Sequence, residues 1–310
     1  MKALRDVFGD TLSELARQNP SIVVLDADLA NSTKADKFAQ AHPDRFLEMG
    51  IAEQNMVGTA VGMATLGFVP WLSSFTIFFT HRALDPVRML VAQTHANVKI
   101  GAAYSGLLTG YTGKTHQDVE DLAIMRAMPG MTVLAPADEF ECAAMIRWAT
   151  EYVGPVYLRL TRDPGPAVFG PDYHFVPGSV HQLHEGSDLL MISTGTQSPR
   201  CVEAAQDLKK EGISAAVLHV PTIKPVQPED LLSFCEKFDL VFTVEEHSRL
   251  GGLGGLVTEI LSEHSPRRVV RLGLQDEWGE SAPNDFLLDK YRLSARRVAE
   301  QIVSKRKQMR

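Results

Sequence analysis

Short apolar runs alternate with amphipathic stretches along the first half of the chain. Ala3 to Gln18 repeats apolar residues at helical spacing, and Ile22 to Leu25 is a β-branched run of the kind found in buried strands. The same alternation continues through further strand and helix signals, at Phe68–Leu72, Thr76–Val91, Val98–Ala103, Asp118–Met128, Thr132–Leu134, Glu139–Tyr152 and Val156–Leu160. Strands and helices that alternate in this way are typical of a parallel sheet covered by helices.

The alternation stops between Asp163 and Ser187, where proline and glycine are frequent. This stretch is too long for an ordinary loop within a domain, so we interpret it as a linker. The pattern then resumes, with strand or helix signals at Leu189–Ser193, Cys201–Gly212, Ala215–Val220, Leu231–Lys237, Leu240–Val244, Leu256–His264, Val269–Leu274 and Ser294–Lys307. The sequence therefore predicts an α/β protein of two domains, residues 1–165 and 188–310 joined by a linker at 166–187, each a mostly parallel sheet with helices on both faces.

Composition narrows the class of protein. The chain has 310 residues, 45% of them hydrophobic and 22% charged, which is typical of globular domains. The formal net charge of −7 argues against a nucleic-acid partner. No apolar run approaches the length of a membrane span and the charged N-terminus lacks a signal-peptide core, so we expect no membrane association and a cytoplasmic location. Cys142, Cys201 and Cys235 lack metal-ligand spacing and fit a reducing compartment.

The stretch Phe46–Ala64 places one carboxylate inside an otherwise apolar, small-residue segment. A turn at Gly50 and a helix over Ala52–Leu66 are expected, with Glu53 in the first turn of that helix. The helix dipole favours the charged form of such a glutamate, whereas burial favours the neutral acid. Two interpretations stay open at this point: an acid/base tuned by burial, or a solvated glutamate that stabilises the helix N-terminus.

The run Gly50–Asn55, Gly-Ile-Ala-Glu-Gln-Asn, resembles the pyrimidine-domain motif of transketolases and deoxyxylulose-phosphate synthases, which are thiamine diphosphate enzymes. Further stretches similar to the same family are Thr115–Gln117 with Pro136 and Asp138, and Glu245–Ser248 with Gly251–Gly254. The resemblance covers essentially the whole chain, but only the pyrimidine-binding and C-terminal domains of the family. It implies that Glu53 hydrogen-bonds the aminopyrimidine ring of the cofactor and drives formation of its reactive ylide.

Phe75 and Phe78 are three residues apart, so both rings can face one side of a helix or turn. Taken alone, such an aromatic pair is more often core packing than a ligand site. The resemblance implies instead that Phe78 stacks on the aminopyrimidine ring, and that Phe75 and His81 also line the cofactor pocket.

A glycine-rich segment from Gly101 to Gly113 leads into His116, in a loop at a strand end, where α/β sheets bind ligands. A histidine there can shuttle protons or hold a hydroxyl group, although a lone loop histidine is usually a surface residue. The resemblance implies that His116 is catalytic and binds substrate, and that Ser32 and Arg162 bind the phosphate of a sugar.

Three substrate-facing positions depart from the usual family residues. Transketolases usually carry a histidine at the position of Tyr104, an aspartate at that of Thr112 and a tyrosine at that of His81. We keep Tyr104 and Thr112 as substrate-binding candidates. Because a carboxylate that contacts the donor hydroxyl is missing at Thr112, the departures call into question the usual ketose phosphates as substrates.

The family's Gly-Asp-Gly motif for the cofactor diphosphate and its metal is missing, because Gly9 and Asp10 are followed by Thr11. The resemblance therefore implies the C-terminal subunit of a split transketolase. Its partner is expected to be an N-terminal subunit that carries the diphosphate site and holds Mg²⁺ or Ca²⁺, in a self-associating heterotetramer. The expected reaction is two-carbon ketol transfer from a ketose phosphate to an aldose phosphate.

Two alternatives remain. A β subunit of a 2-oxoacid dehydrogenase E1 shares the domain order and the glutamate, but the Thr115–Gln117 and Glu245–Ser248 stretches disfavour it. A non-catalytic, transketolase-like interaction module has no physical reason to keep an acid among aromatic residues, so Glu53 disfavours that reading.

Overall fold

Two β-sheets organise residues 1–309, the part of the chain that the computed structural model describes. The first sheet contains seven strands: β1 (Ile22–Asp26), β2 (Phe46–Glu48), β3 (Val69–Phe75), β4 (Lys99–Ala103), β5 (Thr132–Leu134), β6 (Val156–Arg159) and β10 (Thr222–Lys224). Their order across the sheet is β10-β5-β6-β4-β3-β1-β2. All neighbours pair in parallel except β10, which pairs with β5 in the antiparallel direction.

Successive residues of a buried strand point to opposite sides of the sheet, so both of its faces are apolar. Helices cover both faces. The helices of this half are α1 (Leu4–Leu15), α2 (Ala30–Thr33), α3 (Asp36–Ala41), α4 (Glu53–Thr65), α5 (Leu84–Pro86), α6 (Asp121–Ala127) and α7 (Glu139–Glu151). Ile22 and Val24 pack with α1 and α7, whereas Val23 and Leu25 pack with α4 and α6.

The second sheet contains five strands: β7 (His181–His184), β8 (Leu189–Ser193), β9 (Ala215–His219), β11 (Leu240–Ser248) and β12 (Arg268–Leu274). They lie in the order β12-β11-β8-β9-β7, and only the edge strand β7 is antiparallel to its neighbour. Its helices are α8 (Gln197–Lys210), α9 (Pro228–Cys235), α10 (Leu253–His264), α11 (Asn284–Lys290) and α12 (Ala295–Met309). Within residues 1–309, no helix combines the length and the apolar character that crossing a membrane requires.

The two halves share one hydrophobic core. Leu122 and Met125 of α6 belong to the same buried cluster as Leu190 and Ile192 of β8. Together with β10, which belongs to the second half of the sequence but completes the first sheet, this cluster joins the two sheets into one packed unit.

The predicted fold class is confirmed: both sheets are mostly parallel and carry helices. The sequence pattern does not predict two short antiparallel strands. Strand β7 (His-Gln-Leu-His) is polar and lies inside the predicted linker, and β10 is only three residues long. The helix predicted over Thr76–Val91 is instead a pair of π-helical turns, Phe78–Arg82 and Val87–Ala92, on either side of α5. The domain boundaries at 165 and 188 stay a prediction.

Candidate active site

Glu53 is the first residue of α4 and its side chain is only 1% exposed. One guanidinium nitrogen of Arg82, Nη1, lies 2.7 and 2.9 Å from the two carboxylate oxygens of Glu53. The glutamate is therefore buried and paired with a cation, so its interpretation as a solvated helix-end residue is wrong. A paired carboxylate at a helix N-terminus keeps favourable partners despite its burial.

Arg82 also lies over the ring of Phe78, with its guanidinium carbon 4.2 Å from the ring centroid. Both residues belong to the π-helical turn Phe78–Arg82, and such turns are frequent at functional sites. The guanidinium is flat and rich in nitrogen, and it makes the two contacts that an aminopyrimidine ring would need, one with an aromatic face and one with a carboxylate. The residues present thus fit the pyrimidine end of thiamine diphosphate.

An aromatic cluster extends this surface away from Glu53. Phe75 is stacked against Phe78, with centroids 5.9 Å apart, and more closely against Tyr104, with centroids 4.0 Å apart. The ring of His116 is nearly perpendicular to those of Phe75 and Phe78, with centroids 6.0 and 5.7 Å apart. Phe75, Phe78, Tyr104 and His116 thus form one continuous aromatic wall, which includes predicted residues of both the cofactor and the substrate site.

Two arginines lie beside Tyr104 at the other end of this wall. Nη1 of Arg5 donates to the Tyr104 hydroxyl at 2.7 Å and to the main-chain oxygen of Ser32 at 2.8 Å. The guanidinium carbons of Arg5 and Arg162 lie 5.2 and 5.5 Å from the Tyr104 ring centroid. The buried Nε of each arginine has no hydrogen-bond partner among residues 1–309. This concentration of positive charge with spare donors is suited to an anion.

Both halves of the chain match known domains. The family model of the transketolase pyrimidine binding domain matches residues 1–166, and that of the transketolase C-terminal domain matches residues 178–298. The chain belongs to the transketolase family. The resemblance seen in the sequence is confirmed.

Relatives of nearly the same length belong to this family. A putative transketolase C-terminal section from Methanocaldococcus jannaschii is 40% identical, over 99% of this chain and 97% of the relative. A 6-deoxy-6-sulfo-D-fructose transketolase subunit from Clostridium sp. is 38% identical, over 99% and 96% of the two chains. A solved structure described as split gene transketolase, inactive beta4 tetramer, superposes with a TM-score of 0.88 at 43% identity, over 97% of each chain.

The remaining candidates lie around the loop from residue 104 to residue 117, here called the 104–117 loop. The Thr112 hydroxyl and Nη1 of Arg162 both donate to the main-chain oxygen of Thr109, each at 3.2 Å. Nδ1 of His116 is 2.9 Å from the Thr115 hydroxyl, which leaves Nε2 for a ligand. These contacts fix the shape of the loop, and the substrate-binding roles of Thr112, His116 and Arg162 stay predictions.

His81 is placed differently from the other candidates. Its Nε2 lies 3.0 Å from a carboxylate oxygen of Glu120, and both side chains are partly exposed. In this structure the contacts of His81 are therefore with Glu120 at the rim of the site. Its predicted role as a residue of the cofactor pocket stays a prediction.

Arg5 and Arg82 are the site residues that the sequence analysis missed. Arg82 follows Phe78 by four residues, the spacing that places two side chains on one face of a helix, so a local signal was available. Arg5 has no such signal, because an arginine on an amphipathic first helix looks like an ordinary surface residue.

Asp26 supports the turn that carries Ser32. Its buried carboxylate accepts the amide of Leu29 at 2.6 Å and the hydroxyl of Thr33 at 3.2 Å. Burial raises the pKa of Asp26 to about 6 despite these hydrogen bonds. A second buried acid, Asp118 at the end of the 104–117 loop, has a pKa raised to about 7 by burial and by the nearby charge of Asp121.

Proposed function

We propose that this chain is the C-terminal subunit of a split transketolase, which transfers a two-carbon ketol unit from a ketose phosphate to an aldose phosphate with thiamine diphosphate. The observation that supports this most directly is the buried carboxylate of Glu53 beside the face of Phe78, with a flat nitrogen-bearing group already held between them. The proposed domains are residues 1–165 for the pyrimidine end of the cofactor and 188–310 for the C-terminal domain, with 166–187 between them.

The protein residues bind and orient, while thiamine diphosphate supplies the carbanion chemistry when it is bound. Phe78 and Phe75 provide the aromatic face for the aminopyrimidine ring, with His81 near the rim. Glu53 holds a proton at a ring nitrogen, which is general acid–base assistance. Arg82 then has to share or release its contact with Glu53, because the ring and the guanidinium compete for the same carboxylate.

The diphosphate and metal end of the cofactor is assigned to a partner. In this chain Asp10 is paired with Lys2 and Lys37, each at 2.8 Å, so its carboxylate already has two cationic partners. We place the diphosphate site, with Mg²⁺ or Ca²⁺, on an N-terminal subunit in a heterotetramer. The inactive beta4 tetramer described for the solved relative supports self-association of such chains and a need for a partner.

The sugar is proposed to bind along the aromatic wall with its terminal phosphate at the arginine end. Arg5, Arg162 and Ser32 surround that end, and charge-assisted contacts of this kind suit a phosphate. His116 is proposed to hold or protonate a sugar hydroxyl through Nε2. Tyr104 and Thr112 are proposed to set which sugar is accepted.

Two other functions fit less well. A dehydrogenase E1 β subunit is disfavoured because both domain matches are to transketolase. A non-catalytic interaction module is disfavoured because Glu53, Phe75, Phe78 and His116 converge on one site, which packing alone does not require.

The test measures thiamine diphosphate binding by calorimetry and ketol transfer by product analysis, with and without the N-terminal chain. We expect the isolated chain to be folded but silent, since pyrimidine contacts alone hold a charged cofactor weakly, and we expect binding and turnover on reconstitution. Tight binding and turnover by the isolated chain would refute the split-subunit proposal.

A further inference from the structure

A carboxylate of the second domain, that of Glu246, binds the backbone of the 104–117 loop directly. Glu246 lies on β11 and is 2% exposed. Its Oε1 accepts the main-chain N–H groups of Leu107 and Leu108, at 2.5 and 3.1 Å. Two successive amides on a single oxygen fix the backbone at the start of the loop that carries Thr112 and His116.

Gly106 makes this approach possible. Its φ is +75°, a conformation that residues with a side chain rarely adopt. A Cβ atom at this position would lie 2.2 Å from Oε1 of Glu246 and 2.8 Å from Nη2 of Arg159. The loop backbone can therefore reach the carboxylate only because residue 106 lacks a side chain.

Other groups of the second domain hold the same loop. Nδ2 of Asn284 donates to the main-chain oxygen of Leu108 at 3.1 Å, and the Ser281 hydroxyl donates to that of Tyr111 at 2.6 Å. Leu107 and Leu108 also belong to a hydrophobic cluster with Leu287 of α11. The inner side of the loop thus rests on the second domain, whereas its outer residues face the aromatic wall.

We propose that Glu246 is a positioning residue, through which the C-terminal domain sets the shape of the substrate half of the active site. This role explains why a glutamate of the Glu245–Ser248 stretch is buried against the first domain. The proposal rests on the proposed function. The neighbouring Glu245 provides a matched comparison, because its carboxylate also accepts two amides, those of Leu253 and Gly254 at 2.7 and 2.9 Å, but both lie within its own domain.

Hydrogen exchange followed by mass spectrometry tests the anchor in the full-length chain, without reference to activity. Glu246→Met keeps the length of the side chain but replaces the carboxylate oxygen with a thioether sulfur, which is only a weak acceptor, so exchange in residues 105–112 should rise about tenfold or more. Glu246→Gln keeps one acceptor oxygen and should restore part of the protection. Glu245→Met should raise exchange near the start of α10 and leave the loop protected. Unchanged loop exchange in Glu246→Met would show that Glu246 does not hold the loop backbone.

Kinetics of the reconstituted complex test the positioning role. Glu246→Met should raise KM for the ketose phosphate about tenfold and leave the Kd of thiamine diphosphate within twofold, because the loop lines the sugar side. Faster loop exchange with unchanged KM would overturn the positioning role. If the wild-type complex lacks ketol transfer, the proposed function fails, while the exchange measurement still decides whether Glu246 anchors the loop.

If Glu246→Met does not fold, a second pair of variants tests the contact between Glu246 and the loop by changing the loop instead. Gly106→Ala introduces the clash with Glu246, whereas Gly67→Ala carries a similar backbone strain, at φ +90°, in open space. Only Gly106→Ala should raise loop exchange and KM together. Equal behaviour of the two variants overturns the proposal.

Discussion

The carboxylate of Glu53 is the group on which the proposed chemistry depends. Glu53→Gln keeps the shape of the side chain and one acceptor for Arg82, but it cannot deliver a proton. We expect ketol transfer by the reconstituted complex to fall by at least roughly 10²- to 10⁴-fold. The measurement is exchange of the cofactor C2 proton followed by NMR. The exposed Glu14→Gln serves as control, and exchange within a few-fold of wild type would make Glu53 a structural residue.

Asp26 makes stability depend on pH. In the unfolded chain an aspartate titrates near pH 4. The folded chain keeps the proton up to about pH 6, because burial raises the pKa of Asp26 to about 6. Between these values the folded state binds more protons, so the free energy of unfolding falls as pH rises and levels off above the folded-state pKa.

Asp26→Asn should remove this dependence. A shift of about two pKa units corresponds to roughly 3 kcal/mol, so the free-energy difference between variant and wild type should change by up to that amount from about pH 4 to pH 7. Urea unfolding at several pH values measures it, with the exposed neighbour Asp28→Asn as control. A difference that is constant across this range would mean that folding does not raise the pKa of Asp26.

The sequence predicts some residues of the site better than others for a physical reason. Glu53 and Phe78 lie in short contiguous segments whose chemistry is visible locally. Arg5 reaches Tyr104 only because α1 packs beside the strand end that carries the 104–117 loop. Such neighbours are set by tertiary packing, which no local spacing encodes.

At the scale of one element, α4 has two unlike faces. Met56, Val57 and Ala60 are buried, whereas Gly58 and Gly62 face open space, with no atom within 4 Å of a Cβ placed there. Small residues of this kind allow a helix to pack closely, yet within residues 1–309 only one face is packed. The other face is available to a partner subunit of the proposed assembly.

Gly62→Ala should stabilise the isolated chain by about 0.5–1 kcal/mol, because alanine costs less than glycine in a helix interior and has room here. Thermal and urea unfolding measure the change. Gly67→Ala, at φ +90° just after the same helix, should instead destabilise. A destabilised Gly62→Ala chain would mean that this face is covered in the isolated protein.

The strands and helices that the sequence predicts are those with strong periodic signals. Buried β-branched runs such as Ile22–Leu25 become central parallel strands. The edge strand β7 needs few apolar residues and therefore leaves a weak signal. The π-helical turns at Phe78–Arg82 share most of the pattern of an α-helix, so apolar spacing does not distinguish them.

At the scale of the whole molecule, a buried polar network joins the two halves. Oε2 of Glu141 on α7 lies 2.9 Å from Nε2 of His219 on β9, and Nδ1 of that histidine is 2.7 Å from the Ser198 hydroxyl. The Tyr173 hydroxyl donates to the other carboxylate oxygen at 2.8 Å. Burial alone would raise the pKa of Glu141, but His219 holds it below the ordinary value.

Glu141→Gln should destabilise the chain by about 1–3 kcal/mol, because the amide cannot accept all the hydrogen bonds of the buried carboxylate and leaves a buried donor unsatisfied. The loss should appear as one unfolding transition at lower temperature, with faster hydrogen exchange in both halves. Glu151→Gln, exposed at the end of the same helix, is the matched control. Faster exchange confined to residues 1–165 would show that the network does not tie the halves together.

Because β10 comes from the second half of the sequence, the first sheet cannot be completed on the ribosome until residues 222–224 have been synthesised. The other strands of this sheet are synthesised long before those residues, so β5 keeps an open edge until much of the second sheet has been translated. Open strand edges recruit other chains and promote aggregation. A chain that ends before residue 222 would leave this edge of β5 unpaired and would therefore be prone to aggregate.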